Sequence, residues 1–424
     1  MIAHTIITDK MVFGGDCIAK IEGKNIFIPY AIPGETVEVE IEKDLGDYAY
    51  AKIVNIVKPS PHRVIPPCSY YGQCGGCNMM HIDCEEQKKL RVQMLSDILE
   101  REGINFDSEN IEVVEDSPLG YRSRFQFHSG GLMEKRTNKI VPLKNCPCAT
   151  PEVNKYLSEV PYEERPKGRV HVFGVEKITS IPDGYDRIII AEEPVKEKTN
   201  CLEKNASKSR KTVNGRLLKK QKQIRHRFTG TVLNEHNFCT VKLCDKEISF
   251  DVQGFFQSNL KVLEKAIPHV LKDLEGNHVL DMYAGAGTFS TFLAEKFKHV
   301  TLVEHNRDAL VYAERNLIGK SHESFGVSGE TWIKHHAENC IKTHGAFDAV
   351  IIDPPRQGME KEVCKWISNS DIPEIRYVSC DPATMARDAA YLIKGGYKLS
   401  KLYLLDFYPQ TSHIESLSFF TRVR

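Results

Sequence analysis

The sequence predicts a multidomain α/β protein in three parts: an N-terminal all-β barrel over residues 1–58, a central α+β segment with a cysteine cluster over 59–250, and a C-terminal α/β domain over 251–424. Three observations carry this reading. Short runs near the N-terminus alternate apolar and polar residues, three cysteines crowd between positions 68 and 77, and from GFFQSN onward short apolar runs alternate with helical spacing. A chain of 424 residues has room for roughly two to four such units.

Composition narrows the class. Basic and acidic residues number 57 each, so no global field marks a nucleic-acid partner and any basic surface must be local. The N-terminus MIAHTIITDKMVFGG lacks a basic-then-apolar leader, and no apolar run approaches the ~18 residues of a membrane span. A cytoplasmic protein with no membrane partner is expected. Thirteen cysteines, an odd number in a long chain, point to reduced thiols, metal ligands or a nucleophile and not to a disulfide framework.

In the barrel segment the runs CIAKI, NIFIPYA, TVEVEIEK and YAKIVNIV read as strands separated by turns. Barrels of this kind often bind oligonucleotides, and Lys10, Lys20, Lys24, Lys43 and Lys52 are candidate phosphate contacts. The stretch CSYYGQCGGCNMMH then sets Cys68, Cys74 and Cys77 around Gly75 and Gly76, whose tight turn can aim thiolates at one centre. A fourth ligand is required, from Cys84, Cys146, Cys148 or His81. Four thiolates suit zinc and an iron–sulfur cluster alike. Residues 85–101 have helical spacing, with Leu90, Met94, Ile98 and Leu99 on one face. Tyr121, Phe125 and Phe127 recur at period two and read as one sheet face, although Arg122 and Arg124 between them also suit unstacked nucleotides. Residues 196–227 are strongly basic with few large apolar residues, which suits a phosphate-binding arm or a solvated linker.

The C-terminal pattern is that of a parallel sheet with helices on both faces. Within it VLDMYAGAGTFS is a strand, a small-residue turn and a helix capped by Thr288. Gly285 and Gly287 let the backbone approach a ligand, and Glu304 ends the next strand where a ribose-binding acid would stand. The third glycine of a dinucleotide site is absent, Ser290 taking its place, and Asp281 sits badly beside a pyrophosphate. Cationic, phosphate-free S-adenosylmethionine fits better. Asp281, Glu304, Asp353 and Cys380 all end strands and should face one crevice. Arg356 follows DPP where base-amine methyltransferases carry an aromatic, which argues against amine chemistry. Cys380 precedes a helix whose N-terminus can favour the thiolate, and Glu415 is a candidate general base.

The motifs FFQSN, DMYAGAGTFS, IIDPPRQG, SCDPATMARD and PQTSHIES, in this order, resemble those of the S-adenosylmethionine-dependent RNA uridine-5-methyltransferases, over nearly the whole chain. Residues 1–58 resemble that family's TRAM domain, an OB-like barrel, CSYYGQCGGC resembles its iron–sulfur motif, and residues 251–424 its Rossmann-like methyltransferase domain. The resemblance implies that Cys380 attacks C6 of a uracil and that Glu415 removes the C5 proton, with Gln257, Tyr283, Glu304 and Asp353 lining the cofactor and uracil site. It also implies a [4Fe-4S] cluster on Cys68, Cys74, Cys77 and Cys146, with Cys148 a close competitor for the fourth place. Its RNA partner is expected to be 23S rRNA ahead of tRNA, and the chain is expected to act as a monomer. Two departures stand out. The family more often has SCNPAT and PHT, where this chain has Asp381, a charge able to raise the pKa of Cys380, and Gln410. The basic segment 196–227 matches no family motif.

Overall fold

The alternating N-terminal runs become five strands in a computed structural model, which describes residues 3–192 and 238–423 together with three two-residue strands between them. These are β1 (His4–Ile7), β2 (Cys17–Ile21), β3 (Lys24–Ile28), β4 (Thr36–Asp44) and β5 (Tyr48–Lys58). They pair in the order β1-β4-β5-β3-β2. Val37 and Val39 point into the core while Glu38 and Glu40 point outward, the period-two signature of a half-buried strand. The run forming β1 is too short to stand out in the sequence. The ladder leaves β1 and β2 as edges, so among the described residues the expected barrel is an open sheet.

Helix α1 (Cys84–Arg101) starts at Asp83, whose carboxylate accepts from Glu86 N at 2.9 Å. Its buried face holds Met94, Leu95, Ile98 and Leu99, but also Gln87 and Arg91, which apolar periodicity cannot reveal. The Arg91 guanidinium grips Asp406 with two hydrogen bonds of 2.5 and 2.9 Å, both groups out of water. Strand β6 (Ile111–Val114) lies far from 251 in sequence yet forms the outer strand of the C-terminal sheet.

Strands β7 (Arg124–His128), β8 (Leu132–Met133), β9 (Ile140–Val141), helix α2 (Pro151–Glu159), and strands β10 (Arg169–Gly174) and β11 (Ile188–Glu192) make up the central part. In it β7, β10 and β11 form an antiparallel sheet. Phe125 and Phe127 stack at 5.5 Å and pack with Val153, Tyr156 and Leu157 of α2 as one core face, whereas Tyr121, expected on the same face, precedes the strand and packs with Met80 and Cys148 instead. The short strands β12 (Thr212–Val213) and β13 (Arg216–Leu217) pair with each other, and β14 (Thr231–Val232) pairs with β11. Apart from those pairs, the basic segment 196–227 lies outside the described residues.

After the hairpin β15 (Cys239–Leu243) and β16 (Lys246–Phe250), the chain runs α3 (Leu260–Val270), β17 (Gly276–Met282), α4 (Thr288–Leu293), β18 (Phe297–Val303), α5 (Arg307–Asn316), β19 (His322–Phe325), α6 (Gly329–His335), α7 (Ala337–His344), β20 (Ala349–Ile352), α8 (Lys361–Ser368), β21 (Glu374–Ser379), α9 (Pro382–Lys394), β22 (Tyr397–Leu405) and β23 (Glu415–Arg422). The eight-stranded sheet has the order β19-β18-β17-β20-β21-β23-β22-β6. It is mixed, not purely parallel: β23 runs antiparallel to both neighbours. The reason is local. Residues 406–414 connect β22 to β23 without a helix, and a short connection returns a strand antiparallel. No helix among the described residues is long and apolar enough to cross a membrane.

Candidate active site

Parallel strands β17, β18, β20 and β21 end at one edge of the sheet, and β23 begins there. At that edge Tyr283 turns the chain with a φ of 67°, its N–H donating to Val303 O at 2.8 Å. Gly285 follows at φ 58°, and a side chain there would project into open space, as a ligand cradle requires. Glu304 braces this turn by accepting from Gly285 N at 2.9 Å and Asn306 N at 2.6 Å. Gly287 is needed for packing, since a Cβ would come within 2.9 Å of Ala313 on α5. Gly287 also occupies the helix cap position, so Thr288 is the first helical residue and not the cap. Ser290, buried where a third glycine was absent, donates to Asp281 Oδ2.

Asp281 and Asp353 lie on neighbouring strands, Asp281 within β17 and Asp353 just past the end of β20. Burial lifts both carboxyls to about 7, and Glu304 adds to both shifts. Asp281 Oδ1 and Gln257 Oε1 are buried acceptors without hydrogen-bond partners among the described residues. Gln257 is positioned by its neighbours: Ser258 O accepts from Ser123 N and Oγ at 2.8 and 2.9 Å, and Asn259 caps α3. Tyr283 Oη accepts from Glu360 N at 3.3 Å. Crowded carboxylates and unpartnered acceptors suit a cation bearing N–H donors and repel a pyrophosphate.

Cys380 and Glu415 meet across the adjoining strands. The β21–β23 ladder ends at Ser379 and Ser416, so Cys380 and Glu415 are the next residue on each strand beyond its last pair, near enough for Glu415 to act on the thiol. Burial, Glu415 and Asp353 push the thiol up to about 11, with Asp381 adding to the rise as the sequence suggested. The helix expected to favour the thiolate does not serve it: Asp381 takes the first N–H groups of α9, from Ala383 at 3.1 Å and Thr384 at 3.0 Å. Burial and Asp353 hold the Glu415 carboxyl well above the usual carboxylate range. Arg356 opposes both shifts, a role that its reading as a missing aromatic overlooked. Its loop is fixed by Met359 N donating to Asp388 Oδ2 at 2.8 Å and Thr384 Oγ1 donating to Arg356 O at 3.2 Å.

The loop leading to Glu415 is clamped from the cysteine segment. Asn78 N and Met79 N donate to Gln410 O, Ser412 N donates to Asn78 Oδ1 at 2.9 Å, and Asn78 Nδ2 reaches both Ser412 Oγ and Gly14 O at 2.9 Å. Gln410, at φ 70°, exchanges two hydrogen bonds with Gln87, of 3.0 and 2.9 Å, which gives this departure from the family a partner. Gly15 of the N-terminal sheet closes the group, a Cβ there falling 2.6 Å from Asn78 and 2.8 Å from Ser412. None of these contacts could be anticipated from spacing.

Beside this clamp the thiols of Cys77 and Cys148 approach to 3.8 Å, and Cys146 is drawn down to about 6 chiefly by the Cys148 thiol. Cys68, Cys74, Cys77 and Cys146 feel one another's charge, and Met80, Tyr121 and Cys148 bury the group. Both candidates for the fourth place are therefore present. Cys84 is engaged elsewhere, accepting from Gln410 Nε2 at 3.6 Å, and His81 Nδ1 meets Tyr71 Oη at 2.6 Å. The left-handed turn belongs to Gly72 at φ 84°, whereas Gly75 is required by close approach to Met133 O. Of the lysines proposed for phosphate, Lys10, Lys24 and Lys52 pair with Asp97, Asp44 and Glu40 at 2.6, 2.8 and 3.1 Å.

The profile of a family described as tRNA (Uracil-5-)-methyltransferase matches residues 87–423, and that of the TRAM domain matches residues 6–54. An uncharacterized RNA methyltransferase of Treponema denticola is 36% identical over 98% of this chain and 98% of that protein. The 23S rRNA (uracil(1939)-C(5))-methyltransferase RlmD of Shewanella amazonensis is 28% identical over 96% of this chain and 93% of its own. In fold, the tRNA (uracil-54, C5)-methyltransferase of Pyrococcus abyssi, solved with S-adenosyl-L-homocysteine, superposes with a TM-score of 0.69 at 23% identity, covering 99% of this chain and 100% of that one.

Proposed function

Since the chain belongs to the tRNA (uracil-5-)-methyltransferase family, and is thus an S-adenosylmethionine-dependent RNA uracil-C5 methyltransferase, we propose that it methylates a uridine of 23S rRNA through a covalent Cys380 adduct. The observation that carries the mechanism is the meeting of Cys380, Glu415 and Asp353 just past the last pair of the β21–β23 ladder. C5 of uracil is a weak nucleophile until the ring is disrupted. Addition of the Cys380 thiolate to C6 would supply that activation, and the Glu415 carboxylate would accept the C5 proton as Sγ leaves. Bound S-adenosylmethionine supplies an electrophilic methyl on a sulfonium. Gln257, Tyr283, Glu304 and Asp353 would hold it, the unpartnered Gln257 oxygen and the carboxylates receiving its donors and positive charge.

Cys68, Cys74, Cys77 and Cys146 would hold a [4Fe-4S] cluster, their thiols gathered in one buried group with Cys148 beside them. A cluster would tie the loops around Asn78 together. The N-terminal sheet reads as an OB-like unit for RNA and the C-terminal sheet as Rossmann-like, and the enzyme is expected to work as a cytoplasmic monomer. Similarity to an enzyme named for 23S rRNA over nearly the full chain supports the ribosomal substrate. Nucleoside mapping of rRNA and tRNA from a strain lacking the gene is the test, and loss of 5-methyluridine from tRNA alone would overturn that assignment. With the pure enzyme, Cys380→Ala should give neither product nor adduct, while Glu415→Gln should accumulate a methylated adduct stable to denaturation. Protein purified without oxygen should carry about four irons per chain, and a single zinc in their place would refute the cluster.

A further inference from the structure

At the other end of the sheet, where the parallel strands begin, a second polar group gathers. His299 of β18, Glu323 of β19 and His344 at the end of α7 place ligand atoms within 4.8 Å of one another. The rings of His299 and His344 stack at 3.6 Å, and Glu323 Oε1 lies 3.8 Å from His344 Nε2. His299 is only 8% exposed. Its Nδ1 meets Ser321 Oγ at 2.9 Å, while its Nε2 is buried with no hydrogen-bond partner among the described residues.

Proton placement sharpens the anomaly. His278 Nδ1 faces Gly345 O at 2.9 Å, and since a carbonyl only accepts, that nitrogen carries the proton. In a neutral ring His278 Nε2 must then accept the hydroxyl proton of Thr301, 2.9 Å away. Thr301 has no second proton for Glu323, whose oxygen faces it at 3.2 Å. The Glu323 carboxylate and the unpartnered Nε2 of His299 thus converge on one point among the described residues.

We propose that His299, Glu323 and His344 bind a divalent transition metal, with zinc the best match to two imidazoles and a carboxylate. In the tautomer in which His299 Nδ1 donates to Ser321 Oγ, Nε2 carries a lone pair for the metal. Bonds of about 2.0–2.1 Å require the two rings to fan apart from their stack. Glu323 and His344 are partly exposed, which leaves a coordination place for water. The site lies far from the crevice, since His299 precedes Glu304 by about 16 Å along the strand. Its role is to pin β19, the edge strand, whose Phe325 O receives Glu304 N at 3.1 Å.

Zinc alone, added to the full chain purified without oxygen, tests this. Elemental analysis after gel filtration should show one zinc more in the wild type than in His299→Asn, with iron content equal in both. Zinc should raise the melting temperature of the wild type and leave that of the variant unchanged. Glu323→Asp, a milder change that shortens a ligand arm, should weaken zinc binding, and its zinc-free melting temperature reports any misfolding. Cobalt(II) in the site should show no thiolate charge-transfer band. Equal zinc in wild type and variants, or thiolate bands alone, would each overturn the site.

Discussion

Asp281 and Asp353 are acids held near neutrality by their surroundings, and this makes cofactor binding and stability answer to pH. Their folded pKa values, about 7, stand above the ordinary 3.8, so the native state binds protons that the unfolded chain has released. Their contribution to stability is complete below the unfolded value and is lost as pH rises through about 7. A cationic cofactor reverses the balance by pairing with the ionised carboxylates. Thermal melts of the chain without cofactor should fall between about pH 5 and pH 8, and S-adenosylmethionine should raise the melting temperature more at the higher pH. Asp353→Asn should flatten both trends; an unchanged pH dependence would remove this carboxylate from the account. The proposed pair, Cys380 and Glu415, could be singled out in the sequence because each sits in a short motif, SCDPATMARD and PQTSHIES. Arg356 was visible too, but its action on Cys380 and Glu415 depends on a loop path that residue order does not encode.

Among the elements, the loop 406–414 shows most clearly what local pattern conceals. Its shape depends on Asn78, Gln87 and Tyr121, whose hydroxyl donates to Pro409 O at 2.9 Å, and all three are far away in sequence. Asn78→Ala would release Ser412 and Gly14 together while leaving the cysteines in place. Turnover should drop about ten- to a hundredfold through misplacement of Glu415, with adduct accumulating and affinity for S-adenosylmethionine unchanged. A loss of cofactor affinity equal to the loss of turnover would instead mark a general collapse of the fold. Helix α1 was readable by its apolar face, yet the same face buries Gln87 and Arg91, polar groups that only their distant partners explain.

For the molecule as a whole, the order of parts in the sequence is not the order in space. The sheet that carries the site takes its outer strand from residues 111–114, and the helix before that strand is locked to the end of β22 by Arg91 and Asp406. The strand ends at Asp281, Glu304, Asp353 and Cys380 marked β17, β18, β20 and β21, whereas β19, β22 and β23 were not singled out, and β6 is four residues long with its partner almost three hundred residues later. Replacing Arg91 with Leu leaves Asp406 buried and unpaired, which should cost about 3–5 kcal/mol in urea unfolding. Adding Asp406→Leu should recover much of that loss, and an additive double variant would show that the two groups act independently.

Gly15 bears on how such a protein can be rebuilt. Because the turn of the N-terminal sheet rests directly on Asn78 and Ser412, that sheet is part of the wall behind the loop that leads to Glu415. A chimera carrying the N-terminal domain of another enzyme inherits a different turn at this point of contact. Grafts of this kind should succeed or fail according to the fit of a single glycine, even where the borrowed domain grips RNA well.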